Sequence, residues 1–71
     1  MNNIQKLATH DNRNCKLFAD TVISLMSSQG FYGRLYHAVN ELDDDGLYEL
    51  EVQIAQQNFH DTLDVVLWLE C

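Results

Sequence analysis

The sequence contains no proline and only three glycines, so it has few residues that break helices or build tight turns. Hydrophobic residues make up 46% of the chain, which argues against a disordered tail. The 71 residues allow one domain with a small core. The composition therefore predicts an all-α fold with short connections, and the small core favours a homodimer in which self-association adds stability.

Long apolar runs are missing too. No stretch reaches the ~20 apolar residues that a membrane-spanning helix needs, and the first residues lack the apolar core of a signal peptide. We therefore expect a cytoplasmic protein with no membrane partner. The only cysteines are Cys15, predicted inside a helix, and Cys71, the last residue, an arrangement unlike a disulfide framework. Cys15 is predicted to be a small buried side chain.

Basic residues are scarce, and all of them lie before position 41: Lys6, Arg13, Lys16 and Arg34. Nine of the eleven acidic residues lie from Glu41 onward, so the net charge of −7 is concentrated in the second half of the chain. Binding to a nucleic-acid backbone requires clustered lysine and arginine. The charge pattern therefore argues against nucleic acid as a direct partner.

Residues 42–54 carry the strongest helix-start signal in the chain. Asp43 can accept hydrogen bonds from backbone N–H groups of a first helical turn. Asp44 and Asp45 follow where the positive end of the helix dipole favours carboxylates. Apolar residues then recur at helical spacing, which predicts a helix at about 44–57.

Gly46 interrupts this pattern, because glycine weakens a helix by ~1 kcal/mol relative to alanine. A close approach by a neighbouring helix is one explanation. The Asp-x-Asp-Gly sequence here is also similar to the middle of an EF-hand calcium loop. With Gly46 at loop position six, however, position twelve is Val52, where calcium requires a bidentate carboxylate. We therefore interpret the acidic run as a solvated helix cap.

Two further helices are predicted from apolar residues that recur three and four positions apart. The helix at about 13–28 has this stripe: Cys15, Phe18, Ala19, Val22, Leu25 and Met26. The helix at about 31–41 has a shorter stripe: Tyr32, Leu35, Tyr36 and Val39. Gly30 and Gly33 indicate either a close approach of two helices or a hinge.

Residues 1–11 have only Ile4 and Leu7 as apolar anchors, and they end in a cluster of turn and capping residues. This segment is predicted to be a loosely ordered N-terminal arm or one short helical turn. Residues 12–71 are predicted to form a single helical domain.

The last segment, at about 62–70, predicts a helix, with a strand as the alternative because Val-Val-Leu-Trp-Leu has β propensity. Asn58 is predicted to end the preceding helix in a left-handed conformation. As a helix, the last segment has two apolar sides: Leu63, Val66 and Leu67, and Val65, Trp68 and Leu69. One side can pack on the core while the other forms a dimer interface. The expected interface residues are Val65, Trp68, Leu69 and Tyr48.

Histidines and cysteines offer little for catalysis. The dipeptides His10-Asp11 and His60-Asp61 are better explained by chance and helix capping than by metal-dependent hydrolysis, which needs more ligands than this length supplies. Neither cysteine has a second cysteine at zinc-binding spacing. A nucleophilic Cys15 would need a converging histidine that the sequence does not predict. We expect no enzyme, no cofactor and no bound metal.

The sequence thus predicts a small acidic interaction or regulatory accessory protein that docks a partner with a basic surface. The carboxylates expected on the docking face are Asp43, Asp44, Asp45, Glu49, Glu51, Asp61 and Asp64. One alternative is a nucleic-acid mimic that inhibits a DNA- or RNA-binding enzyme, by analogy of size and charge with small acidic inhibitors from mobile elements. The other is a metal-binding or catalytic domain centred on His60, Asp61 and the aspartates at 43–45.

Overall fold

The computed structural model of the protein describes residues 1–57, 59 and 62–70, and all regular structure in that part of the chain is helical. The helices, in chain order, are α1 (Asn3–Ala8), α2 (Arg13–Leu25), α3 (Gly30–Asn40), α4 (Asp44–Ala55) and α5 (Thr62–Glu70). The all-α prediction is confirmed, and the last segment is a helix. Among the described residues, no helix is long and apolar enough to cross a membrane.

The core lies around α2, which packs against α1, α3 and α4, while α1 also packs against α3. Every described helix contributes to this core. Its buried hydrophobic residues are Ile4, Leu7, Cys15, Ala19, Val22, Leu35, Val39, Leu47, Leu50, Ile54 and Val65. The predicted stripes of α2, α3 and α4 all supply members, because one apolar side of each helix faces the same interior.

The N-terminal segment forms a short helix, which is closer to the predicted helical turn than to the alternative of a loosely ordered arm. Asn2 caps α1 with a capping box in which its side chain and that of Gln5 each accept the other's backbone N–H. Ile4 and Leu7 are fully buried. Two large apolar side chains are enough to anchor a short helix, since each stabilises the fold by roughly 1.5–3 kcal/mol when fully buried.

Side-chain amides join the start of α1 to the end of α3. The Asn3 amide nitrogen donates to the backbone carbonyls of Val39 and Leu42, each at 2.8 Å. In return, the Asn40 side-chain oxygen accepts the backbone N–H of Ile4 at 3.0 Å. Helix ends leave such backbone groups without partners in their own helix. These two asparagines, named here the Asn3–Asn40 latch, therefore cap two helices at once.

A residue in the left-handed conformation follows α4. Gln57 has a φ of 58°, the only positive value of a non-glycine residue in the described chain. Asn58 itself lies outside the described residues. The left-handed conformation ends the helix in the usual position just beyond its C-cap, which is Gln56.

The two apolar sides of α5 have the reverse of their expected roles. Val65 is only 2% exposed and belongs to the core, and Trp68 and Leu69 pack against it. Trp68 also meets the ring of Phe59 edge to face, with ring centroids 6.1 Å apart. The residue that remains most exposed on the other side is Leu67 at 54%, followed by Leu63 at 52%. Val65 is thus inside this chain's own core and is not available to a second copy.

Candidate functional site

The start of α4 forms as the sequence predicts. Asp43 is the N-cap, and its carboxylate accepts the backbone N–H of Gly46 at 2.8 Å. Asp44 and Asp45 occupy the first turn and are exposed. The helix dipole and the unpaired N–H groups of this turn offset part of the repulsion among the three carboxylates.

Gly46 has a local explanation, and the proposed approach of a neighbouring helix is wrong. A Cβ atom at this position would lie 3.2 Å from the capping oxygen of Asp43 and 3.2 Å from the side chain of Leu42. Leu42 packs against the core, so it has little freedom to move away. Glycine therefore lets the capping carboxylate and the apolar anchor before it approach the same turn of the helix. By contrast, Gly33 would place its Cβ 3.5 Å from the Met26 carbonyl, an ordinary contact.

Exposed carboxylates surround a tyrosine at this end of α4. Tyr48 is 67% exposed, and it lies one helical turn after Asp44 and Asp45. We call this surface the acidic face and define it by these exposed residues: Glu41, Asp43, Asp44, Asp45, Tyr48 and Glu49. Glu41 was not among the predicted members, although its exposed position just before the α4 cap extends the same run of charge.

Of the remaining predicted carboxylates, two are partly buried and one is outside the described residues. Glu51 is partly buried, and its side chain is 3.6 Å from the imidazole Nε2 of His10. Asp64 is partly buried on α5. Asp61 falls outside the described residues. Of the six predicted carboxylates that the structure describes, the exposed ones are therefore the four at the start of α4.

The predicted interface residue Tyr48 differs in exposure from its expected companions on α5. Its ring is exposed on α4, whereas Val65 is buried and Trp68 is partly buried against the core. The predicted combination of these residues is therefore not presented as one surface by this chain. Homodimer formation itself stays a prediction.

A second surface feature is an apolar groove between α3 and α5. It encloses about 380 Å³. The residues that line this groove, which we call the α3–α5 groove, include Phe31, Arg34, Ala38, Leu63, Leu67 and Glu70. Leu63 and Leu67 were predicted to share one side of α5, but nothing in the sequence indicates that α3 supplies the opposite wall. That pairing depends on the tertiary packing.

A third cluster joins the connection between α1 and α2 to α4. The Cys15 thiol lies 3.6 Å from the backbone carbonyl of Glu51, to which it donates, and the Glu51 carboxylate pairs with His10. The Nδ1 atom of His10 accepts the backbone N–H of Asn12 at 2.9 Å. Sequence reasoning missed this convergence, because the partners lie far apart in the chain and share no motif.

The surroundings of Cys15 in this cluster disfavour the thiolate form. Cys15 is fully buried, and burial raises the pKa of its thiol, with the Glu51 carboxylate raising it further. A reactive cysteine needs the opposite environment, one that lowers the pKa and admits a substrate. The prediction that Cys15 is a small buried side chain is confirmed. Among the described residues, no group of three or more histidine, cysteine or acidic side chains could hold a metal ion.

The chain matches no family model, no curated protein and no solved structure. The acidic face and the α3–α5 groove differ in charge and polarity. The acidic face has several negatively charged carboxylates and an exposed aromatic ring. The α3–α5 groove is lined mainly by apolar residues, with one basic and one acidic residue among them. The acidic face suits a cationic partner, whereas the groove suits an apolar surface with balanced charges.

Proposed function

We propose that this protein is a non-enzymatic interaction module that docks a partner with a basic surface through the acidic face. The observation that supports this most directly is the position of Tyr48, which is 67% exposed among exposed carboxylates. A tyrosine adds a large, rigid contact area at a small entropic cost, and tyrosines are enriched among residues that dominate binding energy. The carboxylates add attraction at long range and orient the approaching partner.

The chain's charge distribution supports the same proposal. No lysine or arginine follows Arg34 in the sequence, so no such residue in the later helices competes for the carboxylates of the acidic face. We propose a cytoplasmic setting for this interaction, since the buried thiol of Cys15 is free. Self-association as a homodimer is also part of the proposal, because a small core leaves Leu63 and Leu67 about half exposed.

The test is affinity capture from nuclease-treated lysate with a variant that removes charge without removing the helix cap. Asp44→Asn with Asp45→Asn retains Asp43, whose carboxylate holds the first turn. We expect this variant to lose a partner that the parent protein captures. Binding to the parent should also weaken steeply as salt rises from about 0.05 to about 0.5 M, because salt screens exposed charges.

A matched control is Asp11→Asn with Asp20→Asn, which removes the same charge from exposed positions before α3. This control should capture the partner as the parent does. Equal capture by all three proteins would contradict the proposal. If the partner is a nucleic-acid enzyme and duplex DNA or RNA competes for it, the acidic face acts as a nucleic-acid mimic. If neither nucleic acid competes, the face acts as a general docking surface.

A further inference from the structure

The α3–α5 groove exposes an apolar strip on one side of α5. Leu63 and Leu67 are four residues apart, so they lie on the same side of the helix, and each is about half exposed. Phe31 and Ala38, which are partly buried, supply further apolar surface from α3. Burial of such side chains is favourable at roughly 25 cal/mol per Å² of apolar area. Covering the groove with the apolar surface of an occupant therefore contributes favourably to the free energy of binding.

The charges on the two walls restrict what that occupant is. Arg34 lies on the α3 wall and Glu70 on the α5 wall. Both are exposed, and no ion pair joins them to each other. Arg34 and Glu70 thus face solvent without neutralising each other. An apolar occupant that carried only one sign of charge would match one wall and oppose the other.

A second copy of this chain matches both walls. In a two-fold interface the same patch faces itself, so the α3 wall of one copy meets the α5 wall of the other. Arg34 of each copy then approaches Glu70 of its partner, and the α5 leucines of each copy cover the α3 wall of the other, where Phe31 lies. The acidic face repels a second acidic face, so it does not offer two copies a competing interface.

We infer that the α3–α5 groove is the homodimer interface, held by the leucines of α5 and by reciprocal pairs between Arg34 and Glu70. This inference rests on the self-association proposed above and assigns it a surface. It replaces the interface expected from the sequence, because Val65 is inside the core. It also leaves the acidic face open on each copy, so a dimer presents two docking faces to a partner.

The test is charge reversal followed by mixing. Arg34→Glu and Glu70→Arg each place like charges opposite one another in both halves of the interface, and each should raise the dimer dissociation constant by at least about tenfold. In a heterodimer of the two variants, each half of the interface again pairs one acidic with one basic side chain, because position 34 of one protomer faces position 70 of the other. We therefore expect the mixture to sediment as a dimer at a concentration where each variant alone is a monomer, in reducing buffer.

Matched controls are Lys16→Glu and Asp20→Arg, which make the same changes of charge at exposed positions on α2. Both should dimerise as the parent does. If the parent dimerises but the reversals in the groove change it no more than these controls, or if the mixture stays monomeric, the assigned surface is wrong. A parent that stays monomeric up to about 1 mM, where Kd corresponds to only ~4 kcal/mol, overturns self-association as well. Capture of a partner by the acidic face is measured separately and does not depend on either result.

Discussion

The first and last helices, α1 and α5, are both short, and they reach the core in different ways. α1 has two large apolar residues, Ile4 and Leu7, and buries both completely. α5 is far richer in apolar residues, yet it leaves Leu63 and Leu67 about half exposed. Apolar content alone therefore does not measure how firmly a terminal helix is anchored. The Asn3–Asn40 latch gives α1 a polar attachment that its composition does not suggest.

The same substitution in each helix tests this comparison most strongly. Leu7→Ala should lower the free energy of unfolding by about 2–5 kcal/mol, because it removes a fully buried side chain and leaves a cavity. Leu63→Ala should lower it by under about 0.5 kcal/mol, as for other exposed positions. Urea denaturation at a protein concentration below that of dimer formation measures both values. Similar losses at the two positions would show that α5 is packed as tightly as α1.

The latch is tested by removing its donor while keeping the side chain's size. Asn3→Leu removes the side-chain donor from the Leu42 carbonyl and from the Val39 carbonyl, which keeps the backbone N–H of Leu42, and should lower the free energy of unfolding by about 2 kcal/mol. Lys6→Leu, an exposed position on the same helix, should change it by less than about 0.5 kcal/mol. Thermal unfolding followed by circular dichroism compares the two, and an Asn3→Leu protein as stable as the parent would leave α1 held by its apolar anchors alone.

Attachment of α5 is tested through the aromatic contact at its C-terminal half. Phe59→Leu removes the edge-to-face contact with Trp68 and should cost about 0.5–1.5 kcal/mol beyond the lost apolar area. Phe18→Leu is the control, since Phe18 is also partly buried against the core but has no ring contact among the described residues. Trp68 is the only tryptophan, so its fluorescence reports on α5 directly. Equal costs for both variants would mean that the ring contact adds nothing.

The smallest expected effect concerns the connection that leads into α5. Gln57 has a φ of 58°, which glycine adopts without the steric cost that a side chain brings. Gln57→Gly should therefore raise the free energy of unfolding by about 0.5 kcal/mol. Gln56→Gly is the control, because Gln56 has a φ of −83° and gains nothing from glycine there. A loss of stability in Gln57→Gly, measured by urea denaturation, would show that the glutamine side chain itself stabilises this turn.

Local patterns predicted those features that depend on neighbours in sequence. The cap at Asp43 and the apolar stripes of α2, α3 and α4 lie where the sequence placed them, because capping and amphipathic spacing involve residues within one or two turns. The end of α2 shows the limit of that reasoning. The helix ends at Leu25 and not near residue 28, since apolar spacing continues past the point where the backbone turns.

The candidate surfaces also have some members that the sequence predicts and others that depend on tertiary contacts. Asp44, Asp45 and Tyr48 are exposed because they lie opposite the buried stripe of α4. The central part of the acidic face was therefore predictable from the sequence. The partnership of Glu51 with His10 was not, because it joins segments far apart in the chain. Glu51 was predicted on the docking face, but it is partly buried beside His10 and does not belong to the acidic face.

By itself, the sequence determined an all-helical chain, the acidic start of α4 and the burial of Cys15, since composition, capping residues and helical periodicity act over short distances. Only the tertiary structure decided that α1 is anchored by the Asn3–Asn40 latch, that Val65 faces inward and that α3 and α5 form a groove. α5 is apolar on two sides, so its apolar spacing is consistent with either side facing the core. The choice depends on which side fits the space left by the other helices, and that space exists only after they have packed.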